Sequence, residues 1–162
     1  MEKKKKKLSE SEAFNKLSAL CATAEYCRAD MMKKMSNWEL PYGCEDNIIS
    51  RLIKERYIDE SRYAKAFTRD KFRYNGWGMM RIERELRIKG IDNALIEEAK
   101  SEIDETENDE MLRRLIEGKR RTVKGKSEYE IKAKLMRYAV SKGFTMESIY
   151  RIIGDLESCL EE

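Results

Sequence analysis

Along most of this chain, apolar residues recur at the three- and four-residue spacing of amphipathic helices. Phe14, Leu17, Leu20 and Cys21 form the first stripe, opened by the capping-box pattern Ser9-Glu10-Ser11-Glu12. A short helix is predicted over residues 28–35. The Trp38–Gly43 stretch, which contains Pro41, interrupts the pattern. Ile48, Ile49, Leu52 and Ile53 mark a third helix that should end near Tyr57. Asp59 is the expected N-cap of a fourth, with Tyr63, Ala66, Phe67 and Tyr74 on its inner side.

Asn75-Gly76-Trp77-Gly78 breaks the chain again. Met79, Ile82 and Leu86 carry a fifth helix, which stops at Lys89-Gly90-Ile91-Asp92. That order places a cation in the last turn, a glycine at the left-handed position, an apolar residue and then the next N-cap. Leu95, Ile96, Ala99 and Ile103 make a sixth helix, and Glu105–Asp109 reads as an acidic connection. Leu112, Leu115, Ile116 and Val123 mark a seventh. Ser127-x-x-Glu130 opens an eighth, with Ile131, Leu135, Tyr138 and Ala139. It closes at Lys142-Gly143-Phe144-Thr145, and Ile149, Ile152, Ile153 and Leu156 form a ninth.

Arg84-x-Leu86-x-x-Lys89-Gly90-Ile91-Asp92 lies over Arg137-x-Ala139-x-x-Lys142-Gly143-Phe144-Thr145, so a three-helix unit repeats at a period of about 50 residues. The expected fold class is all-α, with three tandem three-helix repeats stacked into an elongated, curved molecule. The repeats should cover residues 9–58, 59–104 and 105–162, after a disordered lysine-rich tail over 1–8. Composition supports this reading: one proline and eight glycines are fewer turn residues than an all-β chain of this length would spend.

Charge changes the picture more. The net charge is only +3, but it is laid down in blocks: +6 over residues 62–90, −8 over 92–110 and +8 over 111–142. Blocks so lopsided cannot neutralise themselves at i,i+4. They predict a molecule with a positive face and a negative face. Arg62, Lys65, Arg69 and Arg73 fall on one stripe of the fourth helix, and Arg81 and Arg84 lie on the fifth. Such a stripe fits phosphates or an acidic protein surface. It equally fits a solvated face, or a face neutralised by the acidic segment that follows. Lys119, Arg120, Arg121, Lys124 and Lys126 form a second cluster around a break. Trp77, between two glycines, either stacks on a base or partner side chain or closes the edge of a core.

The chain contains no histidine, which removes imidazole acid–base chemistry, Ser-His and Cys-His pairs and His-ligated metals. Cys21, Cys27, Cys44 and Cys159 form no C-x-x-C pair, so reduced structural thiols in the cytoplasm are expected. Gly125-Lys126-Ser127 resembles the end of a P-loop, but Arg120 stands where the first glycine belongs. Methionines such as Met31, Met32, Met79 and Met80 read as core filler. No apolar run approaches the roughly 18 residues of a membrane span. An enzyme is disfavoured, and no cofactor or metal is expected.

The middle of the chain resembles the RecX family. The resemblance rests on Tyr57-Ile58-Asp59-Glu60-Ser61-Arg62-Tyr63-Ala64-Lys65-Ala66-Phe67, on Gly76-x-Gly78, and on Ile82-x-x-Glu85-Leu86-x-x-Lys89-Gly90-Ile91. It implies tandem three-helix repeats and a non-enzymatic regulator of the RecA recombinase. Such a regulator binds in the groove of the RecA–single-stranded-DNA filament and limits its ATPase, extension and strand exchange. A monomer with RecA and single-stranded DNA as partners is then expected. The alternative is a helical nucleic-acid-binding protein with no recombinase preference. The sequence departs from the family pattern at Pro41 and in the Lys3–Lys7 run.

Overall fold

The computed structural model describes the backbone of residues 4–158; Lys3 and Cys159 lie outside the described residues. Nine helices run through them: α1 (Glu10–Cys21), α2 (Arg28–Met35), α3 (Cys44–Lys54), α4 (Glu60–Asn75), α5 (Met79–Ile88), α6 (Asn93–Lys100), α7 (Glu105–Arg120), α8 (Glu128–Lys142) and α9 (Met146–Ser158). The fold is all-α, as the periodicity predicts.

Local chemistry sets most boundaries. Ser9 Oγ accepts the Glu12 N–H and Ser127 Oγ accepts the Glu130 N–H, both at 3.2 Å. Asp59 Oδ1 accepts the Arg62 N–H at 3.0 Å. Gly90 (φ 75°) and Gly143 (φ 100°) take the left-handed conformation that terminates α5 and α8. In both turns the next residue reaches back five positions: the Ile91 N–H donates to the Leu86 carbonyl and the Phe144 N–H to the Ala139 carbonyl.

Three expectations need correction. The tail is not disordered throughout. Lys6–Lys7 forms a short strand, β1, parallel to Trp38–Glu39, β2, with Lys6 opposite Trp38 and Lys7 opposite Glu39. Leu8 is buried, and its N–H donates to the Glu39 carbonyl at 3.1 Å, so burial of one apolar side chain anchors the segment. Glu105–Asp109 is not a connection but the first turns of α7. Asp104 and Glu107 form a reciprocal capping box, and carboxylates there face the positive end of the helix dipole. The third helix stops at Lys54 because Arg56 adopts φ 60°, letting the Tyr57 N–H reach the Leu52 carbonyl at 2.9 Å.

The chain divides into two compact units, with the middle helices shared out between them. The first takes residues up to Ala66 together with Leu86–Glu98. Its core is built on Phe14, Leu17, Met31, Ile48, Ile49 and Leu52, where α1 and α2 pack on α3. Lys89 Nζ lies 2.6 Å from Asp30 Oδ1, tying the end of α5 to the first turn of α2. The second unit takes Phe67–Glu85 and the residues from Ala99 on. Here α7, α8 and α9 pack together and bury Leu112, Ile116, Leu135, Ala139, Ile149 and Ile152. Tyr74 and Ile53, expected to face inward, are instead exposed, as are Met32 and Met80 among the methionines.

Candidate partner interface

The basic stripe of α4 follows from helical spacing, and the acidic block meets it. In the first unit Arg62 Nε lies 2.5 Å from Glu25 Oε1, and Lys65 Nζ lies 2.5 Å from Glu98 Oε1. In the second, Arg69 Nη1 lies 2.8 Å from Glu102 Oε2, and Arg73 Nη2 lies 3.8 Å from Glu107 Oε1. Each of the four cations therefore faces a carboxylate, three of them from the acidic run predicted as the negative face. The hydrogen bond from Lys65 holds the Glu98 carboxyl below its usual range. Hydrogen bonding to Glu25 raises the Arg62 guanidinium further. These are solvent-accessible pairs, whose attraction water and salt largely screen, so a competing polyanion displaces them at small cost.

Trp77 sits in the break between α4 and α5, where Gly76 takes φ 63°. The Arg81 guanidinium carbon lies 4.1 Å from the indole centroid, and Lys71 Nζ lies 5.0 Å from it. The Phe67 ring meets Trp77 edge-on at 6.3 Å. Arg81 Nε is buried with no hydrogen-bond partner, so the indole π-face compensates for its lost hydration. Trp77 is half-buried in this cation–aromatic cluster. Arg84 is exposed, 3.8 Å from Glu85.

The second basic cluster differs. Lys119 and Arg120 end α7, Arg121 is its C-cap, and Lys124 and Lys126 lie in the turn to α8; all five are exposed. Lys119 Nζ lies 5.2 Å from the Tyr138 ring centroid, and Arg120 is 3.6 Å from Glu128. Arg121, Lys124 and Lys126 have no ion-pair partner among the described residues. The turn is held through its backbone: the Lys126 N–H donates to Glu130 Oε2 at 2.8 Å, and Lys134 Nζ donates to the Lys124 carbonyl at 2.5 Å. That backbone hydrogen bond, with the Lys134 ammonium, depresses the Glu130 carboxyl.

Beside this turn lies a residue the sequence reading missed. Tyr129, in the first turn of α8, is 84% exposed at the mouth of a groove of about 270 Å³. Ile116, Ile131, Leu135, Ile153 and Leu156 floor the groove. The available signal was that Tyr129 falls outside the Ile131–Leu135–Tyr138 stripe, which leaves an aromatic with nothing to pack on. Among the described residues, no group of three or more acidic or cysteine side chains is arranged to hold a metal. No helix among them is long and apolar enough to cross a membrane.

Two consecutive segments match known family descriptions: residues 59–99 match "RecX, second three-helix domain" and residues 105–153 match "RecX, third three-helix domain". The chain is 32% identical over 151 residues to the protein named "Regulatory protein RecX" from Bacillus cereus (strain B4264), covering 93% of this chain and 52% of that one. The protein of the same name from Bacillus thuringiensis (strain Al Hakam) is 31% identical over 115 residues, covering 71% of this chain and 40% of that one. The chain thus spans about half the length of the curated relatives it matches. Among solved structures, the crystal structure of RecX from Lactobacillus salivarius aligns with a TM-score of 0.79 at 22% identity, over 91% of this chain and 96% of that one. A second crystal structure, of a protein described as regulatory protein RecX, aligns at 0.82 with 23% identity, over 90% of this chain and 73% of that one.

Proposed function

This chain belongs to the RecX family, and on that premise we propose that it is a non-enzymatic regulator of the RecA recombinase. It binds the RecA–single-stranded-DNA filament along its groove and restrains ATP hydrolysis, filament extension and strand exchange. The observation that carries this reading is the succession of two RecX-type three-helix domains over residues 59–153, in the order the family uses. The mechanism needs no chemistry from this chain. Binding across neighbouring recombinase subunits changes how they pack, and so changes their ATPase and their hold on the strand.

The physical surface supports a charged partner. The exposed cations Arg121, Lys124 and Lys126, which have no ion-pair partner among the described residues, offer contacts to phosphate or acidic protein groups without first breaking internal pairs. The α4 stripe and its neighbours Trp77, Arg81 and Arg84 remain candidate contacts, with Arg62, Lys65, Arg69 and Arg73 having to exchange internal carboxylates for a partner's. That exchange is nearly neutral in free energy, which suits a contact that forms and dissolves along a dynamic filament.

The deciding experiment is single-stranded-DNA-dependent ATP hydrolysis by RecA, titrated with this protein. Suppression is expected at protein levels too low to coat the DNA. An unaltered ATPase, alongside salt-sensitive binding to naked DNA, would overturn the reading in favour of a general nucleic-acid-binding protein.

A further inference from the structure

We infer that the turn joining α7 to α8 and the groove beside it form a binding site for single-stranded nucleic acid. Phosphates lie on Arg121, Lys124 and Lys126, and one unstacked base lies against Tyr129 at the mouth of the groove. The inference rests on the regulator reading and deepens it, because it gives the chain its own hold on the DNA strand within the filament.

Three observations converge on this site. First, Arg121, Lys124 and Lys126 are exposed and lack ion pairs among the described residues, whereas the α4 cations each face a carboxylate. An anionic chain approaching the turn displaces counterions only. Second, Tyr129 is exposed three residues beyond Lys126, in the first turn of the helix that the cationic turn leads into, so a flat ring is offered at that same end of α8. Proteins that track single strands without reading sequence combine these two elements, cations for the backbone and aromatic faces for the bases. Third, the groove has room. Its volume of about 270 Å³ is several times the roughly 30 Å³ share of one water, and its apolar floor suits a ring face.

The acids at the rim do not oppose this. Glu128 is paired with Arg120, and Glu157 lies 2.9 Å from Lys132. A polyglutamate chain would meet the same cations but carries no aromatic ring to lay against Tyr129 or in the groove. Single-stranded nucleic acid uses both halves of the site.

The test is fluorescence anisotropy of a fluorescein-labelled oligothymidylate titrated with the full chain, without recombinase, over about 50–200 mM salt. Neutralising the turn with Arg121→Gln, Lys124→Gln and Lys126→Gln together should weaken binding at least tenfold. It should also flatten the log–log salt slope by about 2, at roughly 0.7 per lost phosphate contact. Tyr129→Ala should weaken binding about fivefold or more and leave the salt slope unchanged. An abasic oligonucleotide should bind the parent chain more weakly than oligothymidylate, and that difference should vanish in Tyr129→Ala.

Wild-type binding by the triple variant would overturn the inference. So would equal binding of base-containing and abasic strands, or equal competition by poly-glutamate. All four side chains are exposed, and unchanged circular dichroism of the variants verifies folding. The ATPase titration separates the two proposals: a chain that ignores naked DNA yet suppresses RecA refutes this site and leaves the regulator standing.

Discussion

Gly78 and Gly143 meet backbone to backbone. The Gly78 N–H donates to the Lys142 carbonyl at 2.7 Å, the Met80 N–H donates to the Gly143 carbonyl at 3.0 Å, and a Cβ on Gly78 would lie 2.3 Å from the Gly143 carbonyl carbon. The break after α4 and the turn after α8 therefore share one close approach that no side chain can enter. Gly78→Ala should destabilise the protein by about 1–3 kcal/mol, the usual range for overpacking, measured by denaturant unfolding. A loss below about 0.5 kcal/mol would mean that the two turns separate easily.

Gly118 gives the opposite sign. It lies inside α7, and a methyl group added to it would have no atom within 4 Å. Alanine there removes unfolded-chain entropy at no steric cost, so Gly118→Ala should stabilise by about 0.5–1 kcal/mol. The same denaturant curve reads it.

Leu86 is fully buried on α5. Leu86→Ala should cost about 2–5 kcal/mol, as buried truncations do. A shift under about 0.5 kcal/mol in the unfolding free energy would show that the site collapses around the smaller side chain.

Asp30 governs part of the acid response. Burial pushes its carboxyl up, but hydrogen bonds from Lys89 and from the Cys27 backbone N–H outweigh burial and hold it below the usual range. A carboxyl depressed by folding stabilises the protein above its unfolded pKa, near 3.9, and loses that contribution as pH falls through the folded value. Melting temperature should therefore drop as pH falls below about 4, and Asp30→Asn should make that drop shallower. A wild-type slope in Asp30→Asn would assign the acid response to other carboxylates.

Arg69 and Glu102 test whether the α4 stripe is internal support or partner contact. Arg69→Glu should destabilise by about 1 kcal/mol or less, and the swap Arg69→Glu with Glu102→Arg should restore most of it. If the stripe also contacts the filament, the swapped protein will be stable yet poor at suppressing RecA ATPase. Full suppression by the swapped protein confines Arg69 to a structural role.

What the sequence disclosed tracks how local each determinant is. The Ser9, Asp59 and Ser127 caps and the Gly90 and Gly143 turns act within six residues, and all were legible. Arg56 hid a left-handed turn because an arginine stands where glycine usually signals one. Tyr74 extends the inner stripe of α4 on paper, but it comes one turn too late, next to the Gly76 break, and ends up exposed. The strand at Lys6–Lys7 depends on a partner some thirty residues away. The candidate site divides the same way. Its cations could be picked out from the sequence, but which were already matched could not. Arg62 meets Glu25, Lys65 meets Glu98 and Arg69 meets Glu102, all at separations of 33 to 37 residues. Those pairings exist only once the helices are packed.

The matched α4 stripe has a consequence at a distance. Cation and carboxylate a few ångströms apart present a row of dipoles, whose potential fades faster with range than that of a lone charge. The turn at 121–126 presents uncompensated charge, whose reach is cut only by the Debye length, about 8–10 Å in physiological salt. An approaching polyanion therefore senses the turn before it senses the stripe. First encounter is governed by the end of α7, and any exchange of partners along α4 follows after docking. Raising ionic strength should accordingly slow association more than it hastens release.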